Sequence, residues 1–237
     1  MIASVKKPTW FSLTSSGVTG NSEINHKQGI FKRLEDKYLL TDKQAQDLLR
    51  LLKKNLENAS PVANTKFTEI ETIYFDNPNF DILKEYLNYS PNRSKIRTRR
   101  YAPNGKWSKN IFLEIKSKIN GISKKNRFEI NEEQDRYLSL GQKIELTSEL
   151  VTLNSVLTEK KLNSRISNVN YFLTELKTKP VCKVTYLREA YERGNFRVTL
   201  DKNLEFKNLI KPESAAIVES SVRKDWQDIF VNTQSAY

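Results

Sequence analysis

The 237-residue chain holds one cysteine, Cys182, and one histidine, His26. A single thiol excludes an internal disulfide, and a single imidazole leaves no Cys/His set for zinc and no histidine-centred triad. Any metal would sit on carboxylates, which selects Mg²⁺ or Mn²⁺. No apolar run approaches the roughly 18 residues of a membrane helix, and the N-terminus lacks the apolar region of a signal peptide. The sequence therefore predicts a cytosolic protein with no membrane span. No internal repeat or low-complexity linker divides it, and its aromatic residues, 10% of the chain, suffice for a core. Its length fits one large domain or two small ones.

Acidic residues are missing from one region in particular. The net charge is +12, and between residues 91 and 128 twelve Lys and Arg meet one acid, Glu114. An excess of this kind points to nucleic acid, anionic lipid or a phosphorylated small molecule. Within it, RSKIRTRRY (93–101) sets Arg93, Lys95, Arg97 and Arg99 at every second position. A period of two gathers these cations on one face only if the segment is an extended strand. Neighbours on that face lie about 6.7 Å apart and repel by about 2.5 kcal/mol at an effective dielectric of 20. A wet edge strand bears this, and the row then discourages aggregation; an enclosed strand needs an anion.

The segments around this row alternate in the same way. FKRLEDKYLL (31–40) puts Arg33, Glu35 and Lys37 on one face, and KNIFLEIKSKI (109–119) opposes Ile111, Leu113 and Ile115 to Phe112, Glu114, Lys116 and Lys118. Asn120-Gly121 is a strong hairpin signal, and ISKKNRFEI (122–130) returns with Lys125, Arg127 and Glu129 on one face. Further strands are predicted at 67–76, 181–192, 196–201, 204–206 and 215–222. A helix follows Thr41 as N-cap, with Leu48, Leu49, Leu52 and Leu56 on one side. A short helix is predicted over 79–88, several over 131–178, and a last one around KDWQDIF. Residues 1 to about 28 show no sustained period and read as a flexible arm, leaving 29–237 as one domain.

This is an α+β pattern of about eight mostly antiparallel strands. Charged faces of both signs recur on nearly every strand, and the helices with apolar stripes need a surface to pack on. Apolar strand faces turned outward under the helices, with charged faces turned inward, satisfy both requirements and make a polar tunnel.

Taken in order, KRLEDKYLL, IYFD, KIRTRRY, FLEIKSKINGISKKNR, VTYLREAYE, FRVTLDKNLEF and IVES resemble the successive strands of the VTC (vacuolar transporter chaperone) domain, a branch of the triphosphate tunnel metalloenzymes, from residue 31 to about 222. The resemblance implies a closed antiparallel β-barrel tunnel with helices packed outside. It implies binding of inorganic polyphosphate and, in active members, its synthesis from ATP with Mn²⁺ or Mg²⁺. Carried over residue by residue, it gives Lys37, Arg97, Arg99, Lys116 and Arg188 as catalytic residues. Arg33, Lys95, Lys125, Arg127, Tyr186 and Arg197 then bind substrate, and Glu219 with Glu114 holds the metal. Glu35, Glu114 and Glu129 also read as ion-pair partners on the wall. Two positions depart from the family pattern: Glu219-Ser220-Ser221 lacks the lysine of Glu-x-Lys, and Ser235-Ala236-Tyr237 lacks the lysine of Ser-Lys-Tyr.

The chemistry needs no protein nucleophile. Phosphoryl transfer passes through a loose transition state that the protein positions and neutralises. Arg forks grip non-bridging oxygens, and Lys supplies compact charge. The leading expectation is a polyphosphate polymerase. The alternatives are a triphosphatase acting on tripolyphosphate or a nucleoside or thiamine triphosphate, a non-catalytic polyphosphate-binding module, and, least in keeping with cations on strands, a nucleic-acid binder. Attachment to a membrane-embedded partner is a further expectation from the resemblance.

Overall fold

Thr41 separates the first predicted strand from the first predicted helix, and its side chain does the work of a boundary. Its hydroxyl accepts the amide of Gln44 at 3.3 Å, while the Gln44 carboxamide accepts the Thr41 amide at 2.9 Å. This capping box satisfies two of the otherwise unpaired donors at the helix start. The computed structural model of the chain describes residues 9–17, 32–59, 65–194 and 196–210. In chain order the elements are β1 (Thr9–Gly17), β2 (Lys32–Leu40), α1 (Asp42–Asn55), β3 (Glu57–Asn58), β4 (Thr68–Asp76), α2 (Asp81–Leu87), β5 (Arg93–Pro103), β6 (Ile111–Ile119), β7 (Ile122–Ile130), α3 (Glu132–Ser139), α4 (Ser148–Leu153), α5 (Glu159–Thr174), β8 (Lys179–Arg193) and β9 (Phe196–Asn208). No helix among the described residues is long and apolar enough to cross a membrane.

The nine strands form an antiparallel sheet in the hydrogen-bonded order β2-β1-β9-β8-β4-β5-β6-β7, with β3 on β8. Among the described residues no pairing joins β2 to β7, so the sheet is not closed by hydrogen bonds and the closed barrel is not part of the described architecture. Two segments depart from the sequence reading. Thr9–Gly17, expected within the flexible arm, is strand β1, hydrogen-bonded to β2 on one side and β9 on the other. The stretches 196–201 and 204–206, expected as separate strands, run together as β9, which passes through Asn203 at a φ of 55°. Asparagine tolerates this left-handed backbone better than most residues. The expected strand at 215–222 and the helix around KDWQDIF lie outside the described residues.

The chain divides into two compact units. The first takes in the described parts of Met1–Glu71, Tyr101–Ser108 and Val184–Glu205. Its core joins Ala45 and Leu52 of α1 to Tyr191 of β8 and Val198 and Leu200 of β9, with Phe11, Leu13, Leu40, Leu48, Leu49 and Leu56 packed around them.

The second unit takes in Thr72–Arg100, Lys109–Lys183 and the described part of Phe206–Tyr237. Here the apolar face of the β5–β6–β7 meander, with Ile96, Ile111, Leu113, Ile115, Phe128 and Ile130, is buried against Leu138, Leu150, Leu162, Ile166, Val169 and Phe172 of α3, α4 and α5. The period of two then sends the charged residues of the same strands to the opposite face. Side chains from the helices also reach the outer edge of β7. The Asn154 carboxamide accepts the Glu129 amide at 2.8 Å and donates to the Glu129 carbonyl at 2.9 Å. The Arg165 guanidinium donates to the Arg127 carbonyl.

Candidate functional site

The charged face of the meander in the second unit is assembled by register. Asn120 and Gly121, at φ of 48° and 83°, make the tight turn between β6 and β7. Two successive positive φ values match the twist that a two-residue hairpin requires. From that turn, Lys116 falls opposite Lys125 and Glu114 opposite Arg127, while on the other side of β6 Lys95 faces Lys116 and Arg97 faces Glu114. Arg99 faces Phe112, which faces Glu129, and Arg93 faces Lys118. Eight cations and two carboxylates thus share one face.

One row across it is Lys95, Lys116 and Lys125. Adjacent strands lie about 4.8 Å apart, and two ammonium groups held about 5 Å apart repel by roughly 3 kcal/mol at an effective dielectric of 20. The structure relieves this in part. Lys95 places its Nζ 3.2 Å from the centroid of the Tyr86 ring, a cation–π contact. Lys125 turns its Nζ to Glu114 Oε1 at 2.8 Å.

The next row centres on Glu114, which is 1% exposed. Arg97 approaches Oε2 with Nε at 2.8 Å and Nη2 at 2.7 Å, and Arg127 Nε lies 3.5 Å from Oε1. Burial pushes the carboxyl pKa up, but Arg97, the Lys125 contact and Arg99 outweigh it and bring it down to about 2. Burial opposes charge on Arg97 as well, and Tyr74 and Glu114 more than compensate, so the guanidinium stays firmly protonated. Arg97 Nη1 also donates to the Tyr74 hydroxyl at 3.3 Å, and Arg99 Nε to the Thr72 hydroxyl at 3.1 Å. The Arg127 guanidinium carbon sits over Phe112, 3.7 Å from its ring centroid. One carboxylate therefore organises three cations and leaves the face strongly positive.

Asp76 fixes the helix that carries Tyr86. The N-cap position of α2, Phe80, contributes no side-chain cap, and Asp76 replaces it by accepting the Ile82 amide at 3.1 Å and the Leu83 amide at 2.9 Å. Burial raises the Asp76 carboxyl pKa, against the lowering effect of these amides.

In the first unit, Arg188 donates from Nε and Nη2 to the two oxygens of Asp201, both at 2.6 Å. Its guanidinium carbon lies 5.2 Å from the ring centroid of Tyr186, which is buried. Lys37 and Arg197 are exposed, opposite Ser12 and Thr14 in the sheet. Arg33 and Glu35 belong to β2, but their side chains lie outside the described residues, as does Glu219 entirely.

The second unit thus brings together Lys95, Arg97, Arg99, Glu114, Lys116, Lys125 and Arg127 of the expected site residues. Arg188 and Tyr186 meet in the first. The sequence reading missed Thr72, Tyr74, Tyr86 and Asp201. Thr72 and Tyr74 were marked by their alternation along β4. Asp201 was marked by spacing, since it lies seven residues after Gly194 and Arg188 six before it. Tyr86 carried no signal, because α2 and β5 meet only through tertiary packing.

A divalent ion does not fit Glu114 as it stands. Both oxygens are engaged by cations, and an added metal would be repelled by three of them. No group of three His, Cys, Asp or Glu side chains suited to a metal occurs among the described residues.

The VTC domain family matches residues 32–232. No curated protein matches the chain. Among solved structures, the PH1819 protein of Pyrococcus horikoshii OT3 aligns at 16% identity, over 91% of this chain and 89% of that one, with a TM-score of 0.37. A putative adenylate cyclase of Bacillus halodurans aligns at 9% identity, over 78% and 84%, with a TM-score of 0.35.

Proposed function

The chain belongs to the VTC domain family, and from that premise we propose that it is a polyphosphate polymerase, transferring the terminal phosphoryl group of ATP to a growing inorganic polyphosphate chain. The observation that carries the proposal is the pair of adjacent rows, Lys95-Lys116-Lys125 and Arg97-Glu114-Arg127, on one face of β5, β6 and β7. A phosphate chain repeats its charge along its length, and a ladder of cations on neighbouring strands repeats along the same direction.

Arg97 and Arg99 are held by Glu114 and Thr72 with part of each guanidinium fork engaged. Their remaining N–H groups grip non-bridging oxygens, an interaction that fork geometry favours. Lys95, Lys116 and Lys125 follow the chain as point charges. Glu114 acts as a positioning residue that keeps Arg97, Lys125 and Arg127 aligned. Charge building on the transferred group meets donors already in place, so little reorganisation is needed. The acceptor is the end of the chain itself, which agrees with the absence of a histidine or cysteine nucleophile from the described face. Mn²⁺ or Mg²⁺ would enter, on this reading, as a counterion of the phosphates and not as a ligand of Glu114. Closure of the sheet into a tunnel belongs to this proposal and rests on the family resemblance.

The Glu219-Ser220-Ser221 departure favours one second reading, a module that binds polyphosphate without extending it. Incubation of the purified chain with ATP and Mn²⁺, with products resolved by gel and by phosphate release, separates the readings. The expected result is long chains with ADP. Orthophosphate alone would make it a hydrolase, and tight tripolyphosphate binding without turnover would make it the module.

A further inference from the structure

We propose that the tip of the β6–β7 hairpin docks on an anionic lipid surface. The apolar face of β6 and β7 does not end where its helical cover ends. Ile115 is 2% exposed beneath the helices, whereas Ile119 and Ile122, on the same face by the period of two, are 56% and 76% exposed. These two residues face each other in the register as the last pair before the turn. Two branched apolar side chains therefore stand side by side at the outermost point of the hairpin.

The tip is rigidly presented. Asn120-Gly121 holds a tight turn, and the Asn120 amide donates to Asn92 Oδ1 at 3.1 Å. That bond ties the hairpin to the loop carrying Tyr89, itself 72% exposed. Ordering before contact lowers the entropy lost on binding. Backbone groups along the hairpin are already paired between β6 and β7, so shallow burial leaves few of them unsatisfied.

Charge selects the partner. The tip itself, residues 118–124, contains Lys118 and Lys124 and no acid. Exposed isoleucines with Lys124 on their own face and Lys118 beside them in sequence, and a tyrosine nearby, match the boundary between acyl chains and anionic headgroups. A stable protein interface usually buries about 800 Å² on each partner around an apolar centre, more than two isoleucines and a tyrosine supply. The inference uses Ile119, Ile122 and Lys124, none of which belongs to the phosphate-binding rows, and it does not depend on the catalytic reading.

The test is flotation of the full chain with vesicles of phosphatidylcholine alone and with phosphatidylserine as about one lipid in four. Binding is expected only to the anionic vesicles. Ile119→Ser/Ile122→Ser is expected to lower partitioning about tenfold or more, and Lys124→Gln about fivefold. Tripolyphosphate affinity, measured by calorimetry, should stay unchanged in the isoleucine variant and shows that it is folded. The proposal is overturned if the chain binds neither vesicle, if it binds both equally, or if the isoleucine variant binds as well as the parent. It is also overturned if tripolyphosphate displaces the vesicles while the isoleucine variant still binds them, since headgroups would then be occupying the phosphate rows. Capture of a protein partner through the tip without vesicle binding would assign the surface to that partner instead.

Discussion

Arg97 with Glu114 and Arg188 with Asp201 are both short arginine–carboxylate pairs, one in each unit, yet one stands in a cationic cluster and the other does not. Arg188 spends both arms of its fork on the two oxygens of one aspartate. That pair is close to neutral and complete. Glu114 is shared by Arg97, Lys125 and Arg127. Three cations around one carboxylate remain positive, and Lys95 and Lys116 on the neighbouring row add to the excess. A closed pair holds strands together, whereas an underpaid cluster of cations is a place for an anion. Arg188 commits Nε and Nη2 to Asp201, and Arg97 commits Nε and Nη2 to Glu114 and Nη1 to Tyr74, so the two sites differ in the charge around the carboxylate.

The sharpest way to break this contrast is to remove the shared carboxylate. Glu114→Gln keeps the shape but leaves three cations facing one another, and breaking a buried pair in this way costs about 3–5 kcal/mol. Urea unfolding should register that loss, and tripolyphosphate should restore more stability to this variant than to the parent. If stability is unchanged, Glu114 does not organise the cluster. Next in size, Arg97→Ala/Arg99→Ala should weaken tripolyphosphate binding about a hundredfold, since each charged hydrogen bond contributes about 1.5–3 kcal/mol. Unchanged affinity by calorimetry would remove the proposed site. Asp201→Asn should cost about 2–3 kcal/mol of stability with tripolyphosphate affinity intact. A gain in affinity would show that the freed Arg188 joins the phosphate ligands and would erase the distinction between the two pairs.

Acid provides a gentler probe. The folded-state pKa of Glu114 lies below its ordinary value of 4.5, at about 2. Its contribution to stability is therefore full above about 4.5 and is lost as the pH falls toward 2. Denaturation followed over this window should show the loss in the parent and a smaller one in Glu114→Gln. The smallest expected effect is that of Tyr86→Leu, which removes the ring beneath Lys95. A cation–π contact at an exposed site is worth about 0.5–1 kcal/mol, so tripolyphosphate affinity should change only a few-fold.

Local periodicity made the meander legible. Alternation named its two faces, and Asn120-Gly121 fixed the turn, from which Glu114 opposite Arg127 and Lys116 opposite Lys125 follow by counting. The helices were legible from their apolar spacing, and α1 also from Thr41. What stayed hidden depended on partners distant in sequence. β1 sets Phe11 and Leu13 among serines and threonines and is paired with β2 and β9, so its composition resembles a loop while its partners make it a strand. The length of β9 was hidden by Asn203, whose left-handed backbone interrupts the alternation without ending the strand. Tyr86 reaches Lys95 only because Asp76, at the end of β4, caps α2. The cationic face was thus readable residue by residue, while the carboxylate and aromatic groups that tune it were set by tertiary contacts.

The side chains on the rim of β7 have a consequence for how molecules of this chain meet. An uncovered strand invites a neighbour to extend the sheet, which is how ordered aggregates grow. At Glu129 both the amide and the carbonyl are occupied by one carboxamide, which mimics the backbone of an absent strand. At Arg127 the carbonyl is held by an arginine from α5. An incoming strand would have to displace both before gaining a hydrogen bond there, so this stretch rejects self-templating. Asn154→Ala would uncover it, and faster fibril formation on mild heating would be the sign that a single amide had been acting as a plug.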